Sequence, residues 1–195
     1  MPDHHDPTRR KLLAALPGLT LVNPPLGQAI ASVEARQPNG SILVAYFSRS
    51  GNTRVIAGVI QRTLQAELFE IVPASPYPAD YFQTVAQAQR ERDLGLTPAL
   101  KQSATMAGYH TLYVGFPVWG MTVPPVVKTF LSGHDLAGKR LVPFITHGGY
   151  GIGDSEAVLA RLASGARRDA PLIMECDQER RTTETVARWL EARGT

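Results

Sequence analysis

The sequence predicts an α/β fold: a doubly wound, five-stranded parallel sheet in the order 2-1-3-4-5, with helices on both faces in three α/β/α layers. Two observations predict it. Apolar runs alternate five times with segments of helical periodicity between residues 41 and 195, the pattern of successive strand–crossover–strand units. Three of the runs, residues 42–47, 111–116 and 141–146, carry no charged residue. Strands of that composition are buried on both faces, as in a covered parallel sheet. Right-handed crossovers then give the doubly wound order, with the switch point between strands one and three.

Residues 1–40 read differently. Residues 1–11 are polar and end Thr8-Arg9-Arg10-Lys11, and residues 12–30 are weakly apolar and uncharged. Ala29-Ile30-Ala31 follows as a small-x-small cleavage site. A basic region, an apolar region and such a site, in that order, are the parts of a secretory signal. Thr8-Arg9-Arg10-Lys11-Leu12-Leu13 resembles the twin-arginine type, which exports folded proteins. The reading is therefore a signal peptide over 1–31, a linker over 32–40 and one domain over 41–195, located in the periplasm and folded before export. Pro17, Pro24 and Pro25 argue against a stable membrane span.

The domain's elements follow in order. Strand one, Ile42 to Phe47, leads through a polar loop into a helix over Thr53–Gln65. Glu67–Val72 mixes polar and apolar residues, which suits an edge strand, and Pro73 ends it. A helix near Ala79–Asp93 carries a modest apolar stripe of Tyr81, Phe82, Val85 and Ala86, and a loop or short helix covers Leu96–Met106. Strand three, Thr111–Phe116, precedes a helix over Val126–Leu131 that Pro124-Pro125 starts. Strand four, Leu141–Thr146, precedes a helix over Ser155–Leu162. Strand five spans Pro171–Cys176, and the last helix, Thr182–Ala192, carries Val186, Trp189 and Leu190 on one stripe.

Composition bounds the function. The 195 residues suffice for one domain, and 44% hydrophobic with 19% charged residues is ordinary for a soluble globule. The net charge of +3 and pI of 9.2 are mildly basic. No stretch clusters five Lys/Arg, so nucleic acid is not a predicted partner. Removing residues 1–31 takes three basic and two acidic residues, leaving 17 against 15. The single cysteine, Cys176, excludes an internal disulfide, and no His/Cys spacing suits a metal.

The chemistry lies in three loops. After strand one comes Ser48-Arg49-Ser50-Gly51-Asn52-Thr53. A hydroxyl- and amide-rich loop at a helix N-terminus attracts an anion, and Gly51 permits close approach. No Lys is present, so a triphosphate loop is excluded and one phosphate monoester fits better. A ligand-free Ser/Thr cap is the plainer alternative. After strand three comes Pro117-Val118-Trp119-Gly120, and after strand four Thr146-His147-Gly148-Gly149-Tyr150-Gly151. The last has no G-x-G-x-x-G spacing, so it is not a dinucleotide fingerprint.

The pattern resembles the flavodoxin family, whose first loop reads hydroxyl-x-hydroxyl-Gly-x-hydroxyl; residues 48–53 match at every fixed position. The resemblance runs from about Ser41 to the C-terminus. It implies that the first loop (Ser48, Arg49, Ser50, Gly51, Asn52, Thr53) holds the phosphate of flavin mononucleotide (FMN). It implies that Pro117, Val118, Trp119 and Gly120 flank the flavin ring, Trp119 as the stacking residue with core packing as its alternative. It implies that Thr146, His147, Gly148, Gly149, Tyr150 and Gly151 meet the pyrimidine edge, where His147 could favour the reduced cofactor. No catalytic residue is named.

Two functional readings follow from the resemblance. One is an oxidoreductase taking hydride from NAD(P)H and reducing a quinone-like or other small acceptor. The other is a non-enzymatic electron carrier that docks on redox proteins. The family's carriers are typically acidic, whereas this chain is basic and sets Arg49 and Arg54 beside the phosphate loop. A homodimer is also compatible with the resemblance. Two phosphate-chemistry proteins of similar fold are excluded. Response regulators need acids where Ser48 and Phe116-Pro117 stand, and small tyrosine phosphatases need a Cys-x5-Arg loop.

Overall fold

The computed structural model describes residues 41–176 and 179–194, with side chains in the last helix described from Thr185 onward. The leader and linker expectations fall on residues 1–40, outside the described residues. The elements alternate β1 (Ile42–Tyr46), α1 (Asn52–Leu64), β2 (Glu67–Glu70), α2 (Tyr81–Asp93), β3 (Thr111–Pro117), α3 (Pro125–Ser132), β4 (Arg140–His147), α4 (Ser155–Leu162), β5 (Arg167–Arg168), β6 (Leu172–Glu175) and α5 (Glu179–Glu191).

All described strand pairings are parallel, and the order is β2-β1-β3-β4-β5, with β6 also on β4. This is the predicted doubly wound sheet. Alternate residues of the central strands supply two cores. Leu43, Ala45, Leu112, Val114, Leu141 and Ile145 face one side, where α3 and α4 cover them with Val127, Phe130 and Leu159. Val44, Tyr46, Tyr113, Val142 and Phe144 face the other, under Ile56 and Ile60 of α1 and Val186 and Leu190 of α5. Two covered faces explain why these strands read as continuous apolar runs. Each fully buried Phe, Leu or Ile contributes roughly 1.5–3 kcal/mol.

The fifth sheet position departs from the single strand expected over 171–176. Leu141 pairs with Arg168 and Phe144 with Leu172, so four residue steps face three on β4. Residues 169–171 therefore face only Val142 and Pro143. Pro143 lies opposite the break; it has no N–H to donate to a neighbouring strand, and strand ladders break at such positions.

The apolar stripe of α2 also departs from a core-facing arrangement. Tyr81, Phe82 and Val85 are exposed, Phe82 by 78%. The face α2 buries is Thr84, Ala88 and Glu91. Polar groups there are satisfied: the Thr84 hydroxyl donates to Pro78 O at 2.7 Å, and Glu91 accepts from the Tyr77 hydroxyl at 2.7 Å and from Gln87 Nε2 at 2.8 Å. Asp80 caps this helix by accepting from Gln83 N at 2.8 Å. Residues 96–106 form a loop with a Pro73–Leu100 bridge.

Candidate functional site

The three chemistry-bearing loops leave the C-terminal ends of β1, β3 and β4, which are neighbours in the sheet. Doubly wound sheets bind ligands at this edge. The loops surround a cavity of about 450 Å³. A largely apolar cavity of this size is within the range that holds a cofactor-sized ligand.

The first loop contributes Arg49, Ser50 and Asn52 to the wall. Ser48 turns back on its own loop, where its hydroxyl accepts from Gly51 N at 3.1 Å. Gly51 takes φ +98°, a left-handed conformation that favours glycine, and nothing lies within 4 Å of where its Cβ would be. Among the described residues, the side chains of Ser50 and Asn52 have no protein partner, so their donors remain for a ligand at the N-terminus of α1. Thr53, expected to donate to the phosphate, is buried, and its hydroxyl shares a 2.9 Å bond with that of Thr146. That pair braces the first loop against the third. Arg49 donates to Ala79 O at 2.6 Å, anchoring the loop to the segment before α2. Arg54 is engaged by Glu70 at 2.7 Å, which raises its pKa chiefly through that hydrogen bond. Its charge is therefore largely balanced.

The second loop contributes Pro117, Val118, Trp119 and Gly120. Trp119 is half-buried and held edge-on by Phe47 at 5.1 Å and Tyr77 at 4.9 Å, each at 81°. The indole packs on the core and also lines the cavity. Burial, then the bond to Glu91, raises the Tyr77 pKa far above its ordinary value, so Tyr77 stays a neutral donor. Gly120 and Met121 are successive left-handed residues, φ 56° and 63°. The turn is fixed by the third loop, since Asp154 N donates to Met121 O at 3.0 Å.

The third loop contributes Thr146, His147 and Gly148. His147 Nδ1 accepts from Gly149 N at 3.1 Å, so a neutral ring carries its proton on Nε2 and offers a donor. Gly149, Tyr150 and Gly151 lie off the cavity wall, and Tyr150 is 84% exposed.

A fourth wall was not anticipated. Tyr81, Thr84, Val85, Ala88 and Arg92 of α2 line the cavity, as does Cys176 after β6. The Arg92 guanidinium lies over Gly120, so close that a Cβ there would sit 2.5 Å from its Cζ. No motif marks these residues, because α2 meets the cavity through side chains from several turns. Among the described residues, no cluster of three metal-ligating side chains occurs, and no helix is long and apolar enough to cross a membrane.

The comparisons agree with this geometry. A candidate flavoprotein from Bacteroides uniformis ATCC 8492 is 30% identical, with a TM-score of 0.69 over 78% of this chain and 98% of that one. Another, from Bacteroides eggerthii DSM 20697, is 29% identical, with a TM-score of 0.68 over 80% and 98%. A flavoprotein from Lactobacillus acidophilus NCFM, solved in complex with FMN, shares the fold at 22% identity, with a TM-score of 0.59 over 74% and 98%. The curated proteins give no match. The Flavodoxin family profile matches residues 41–193. With the sheet order, the three loops at its switch point and a profile match across the whole described domain, the chain belongs to the flavodoxin family.

Proposed function

We propose that this protein binds FMN in the cavity and works as an oxidoreductase, taking hydride from NAD(P)H and reducing a quinone-like or other small acceptor. The observation that carries the reading is the cavity itself, which opens at the switch point beside unpartnered donors and has α2 as an additional wall. The residues fit the cofactor. Ser50, Asn52 and the free space over Gly51 suit a phosphate at the start of α1. Trp119 presents an aromatic surface to a ring, and Nε2–H of His147 with the backbone at Gly148 suits a carbonyl-bearing edge. A related fold is known in complex with FMN.

FMN, when bound, supplies two-electron chemistry: hydride acceptance from a nicotinamide, then delivery of two electrons, with two protons, to a quinone. The chain's residues orient that cofactor and limit water. Val118, Trp119, Val85 and Ala88 give the cavity its apolar wall, and Arg49 and Arg92 give it a positive rim.

The carrier reading retains one observation in its favour. Tyr81, Phe82 and Val85 form an exposed apolar strip at the cavity mouth, and such strips serve as docking surfaces. Anaerobic mixing of the FMN-loaded protein with NADH or NADPH separates the readings. Rapid bleaching reversed by a quinone supports the oxidoreductase. Bound flavin that neither nucleotide reduces, yet a redox protein does, supports the carrier. Export through a twin-arginine-type leader is a further part of the proposal, supported by the ordered features of residues 1–31. An unprocessed, cytoplasmic full-length chain, seen by fractionation and mass spectrometry, would overturn it.

A further inference from the structure

The cavity wall carries charge of one sign. Among the described residues that line it are two arginines, Arg49 and Arg92, and no aspartate or glutamate. The two belong to opposite ends of α2. Arg49 is tied to Ala79 O, just before the helix, at 2.6 Å. Arg92 lies in the last turn. At about 1.5 Å of rise per residue, the helix from Tyr81 to Arg92 separates these ends by roughly 16 Å. Arg49 is part of the first loop, where the flavin reading puts the phosphate. Arg92 lies against the second loop, which the same reading puts beside the ring. The FMN phosphate therefore does not account for Arg92.

Arg92 is seated rather than loose. It is half-buried, and a Cβ on Gly120 would sit 2.5 Å from its Cζ, 2.6 Å from Nη2 and 2.8 Å from Nη1. Such similar distances lay the flat face of the guanidinium on Gly120, so its N–H edges point elsewhere. Among the described residues, those edges meet no ion-pair or hydrogen-bond partner. Other half-buried cations of the domain do find partners: Lys139 Nζ donates to Met106 O at 3.0 Å and Tyr109 O at 2.6 Å, and Arg140 pairs with Asp169 at 2.7 Å. The adjacent Glu91 carboxylate is already held by Tyr77 and Gln87. A partly desolvated guanidinium without a protein partner suits an anionic ligand, and its planar fork matches a carboxylate. The surface leading to it is apolar. Tyr81, Thr84, Val85, Ala88 and Arg92 recur at helical spacing on one face of α2. The Thr84 hydroxyl donates to Pro78 O, which leaves Val85 and Ala88 as the surface beside Arg92.

We propose that Arg92 is a specificity residue for the electron acceptor, and that the acceptor is a small aromatic carboxylate. The carboxylate pairs with the guanidinium while the aromatic ring lies against Val85 and Ala88. This names the acceptor class within the flavin reading above and rests on it. A nicotinamide dinucleotide carries its charge on phosphates remote from its reacting ring. A lone cation at the ring end of the cavity therefore fits an acceptor whose anionic group is attached directly to its ring.

The test is calorimetric titration of the oxidised, FMN-loaded protein with 2-naphthoate and with 2-naphthamide, which share a shape and differ in charge. Binding is read without turnover. Naphthoate is expected to bind about tenfold tighter, the scale of one charge-assisted pair. Arg92→Gln should bring the two ligands to equal affinity by weakening naphthoate alone, and Arg92→Lys should keep part of the gap. In stopped flow, dithionite-reduced protein should show the same selectivity whatever its natural donor. Arg92→Gln should slow reoxidation by 1,4-naphthoquinone-2-carboxylate about tenfold more than reoxidation by 1,4-naphthoquinone. Comparing variant with parent for each quinone cancels their unequal potentials. Equal affinity for naphthoate and naphthamide in the parent overturns the proposal. So does a preference that persists in Arg92→Gln, or an equal loss of both ligands, which marks a merely structural role. Loss of FMN from Arg92→Gln would assign the guanidinium to the flavin and overturn it as well. If the parent retains no FMN, the acceptor role falls with the flavin reading. A naphthoate–naphthamide gap in the flavin-free protein that Arg92→Gln abolishes would separate that failure from a failure of the anion site.

Discussion

At the residue scale, Trp119 and Tyr77 show how a site rests on its supports. Trp119 is fixed by two edge contacts, and Tyr77, which makes one of them, is fixed by the buried carboxylate of Glu91. Tyr77→Phe keeps the ring and removes the donor, leaving Glu91 with Gln87. Loss of a donor to a buried charged group predicts destabilisation of roughly 1–3 kcal/mol, read by urea denaturation. Trp119→Ala is expected to weaken FMN binding roughly three- to tenfold, on the scale of one aromatic contact. Unchanged affinity, measured by quenching of flavin fluorescence, would place the indole away from the ring. A separate residue gives a pH prediction. The Tyr109 hydroxyl donates to Glu67 at 2.6 Å, and that bond, with burial, pushes its pKa up to about 12. A raised folded-state pKa means that this stabilisation is present below pH about 10 and is lost as pH rises toward 12. Tyr109→Phe should remove that loss from the pH–stability profile; an identical alkaline slope would contradict it.

At the scale of elements, the loops are locked to one another more tightly than to solvent. A Cβ on Gly153 would lie 1.9 Å from Met121 O, and Gly153 also takes φ +55°. Gly153→Ala therefore cannot be accommodated without parting the second and third loops. It is expected to cost about 1–3 kcal/mol or more, as overpacking does, and to weaken FMN binding with it. Within the sheet, a Cβ on Gly115 would lie 1.9 Å from the Phe144 ring, so Gly115→Ala should also destabilise while leaving the loops' sequence intact. By contrast, Phe82→Ser on the exposed face of α2 should shift stability by no more than about 0.5 kcal/mol. A large loss there would mean that another surface normally covers this helix.

At the scale of the whole molecule, much of the fold was legible because the central strands are covered on both faces. Their charge-free runs, each ended by a Gly- or Pro-bearing loop, encode both burial and direction. The edge strand β2 was legible as a short run of mixed polar and apolar residues ended by Pro73. The broken fifth position was not: Arg167–Arg168 is two exposed residues long and has no periodicity to read, and Pro143 marks the break only once its partner strand is known. The loops were legible because glycines, hydroxyls and an amide occur together there. The α2 wall was legible only in part: Tyr81 and Val85 belong to its apolar stripe, whereas Thr84, Ala88 and Arg92, which line the cavity beside them, are not marked by it. The partner of the Thr53 hydroxyl was not legible for a related reason. Sequence shows a hydroxyl beside a helix start, but not that Thr146, distant in sequence, takes it up.

Whether the first loop holds the phosphate of FMN is tested most directly by comparison of FMN with riboflavin. Fluorescence-quenching titrations of the protein with each flavin differ only in that phosphate. FMN is expected to bind at least about a hundredfold tighter than riboflavin, the scale of two charge-assisted hydrogen bonds. A Ser50→Ala/Asn52→Ala variant should narrow the gap while leaving riboflavin affinity unchanged. Equal affinity for the two flavins, or a gap that the double variant leaves intact, would contradict that placement of the phosphate.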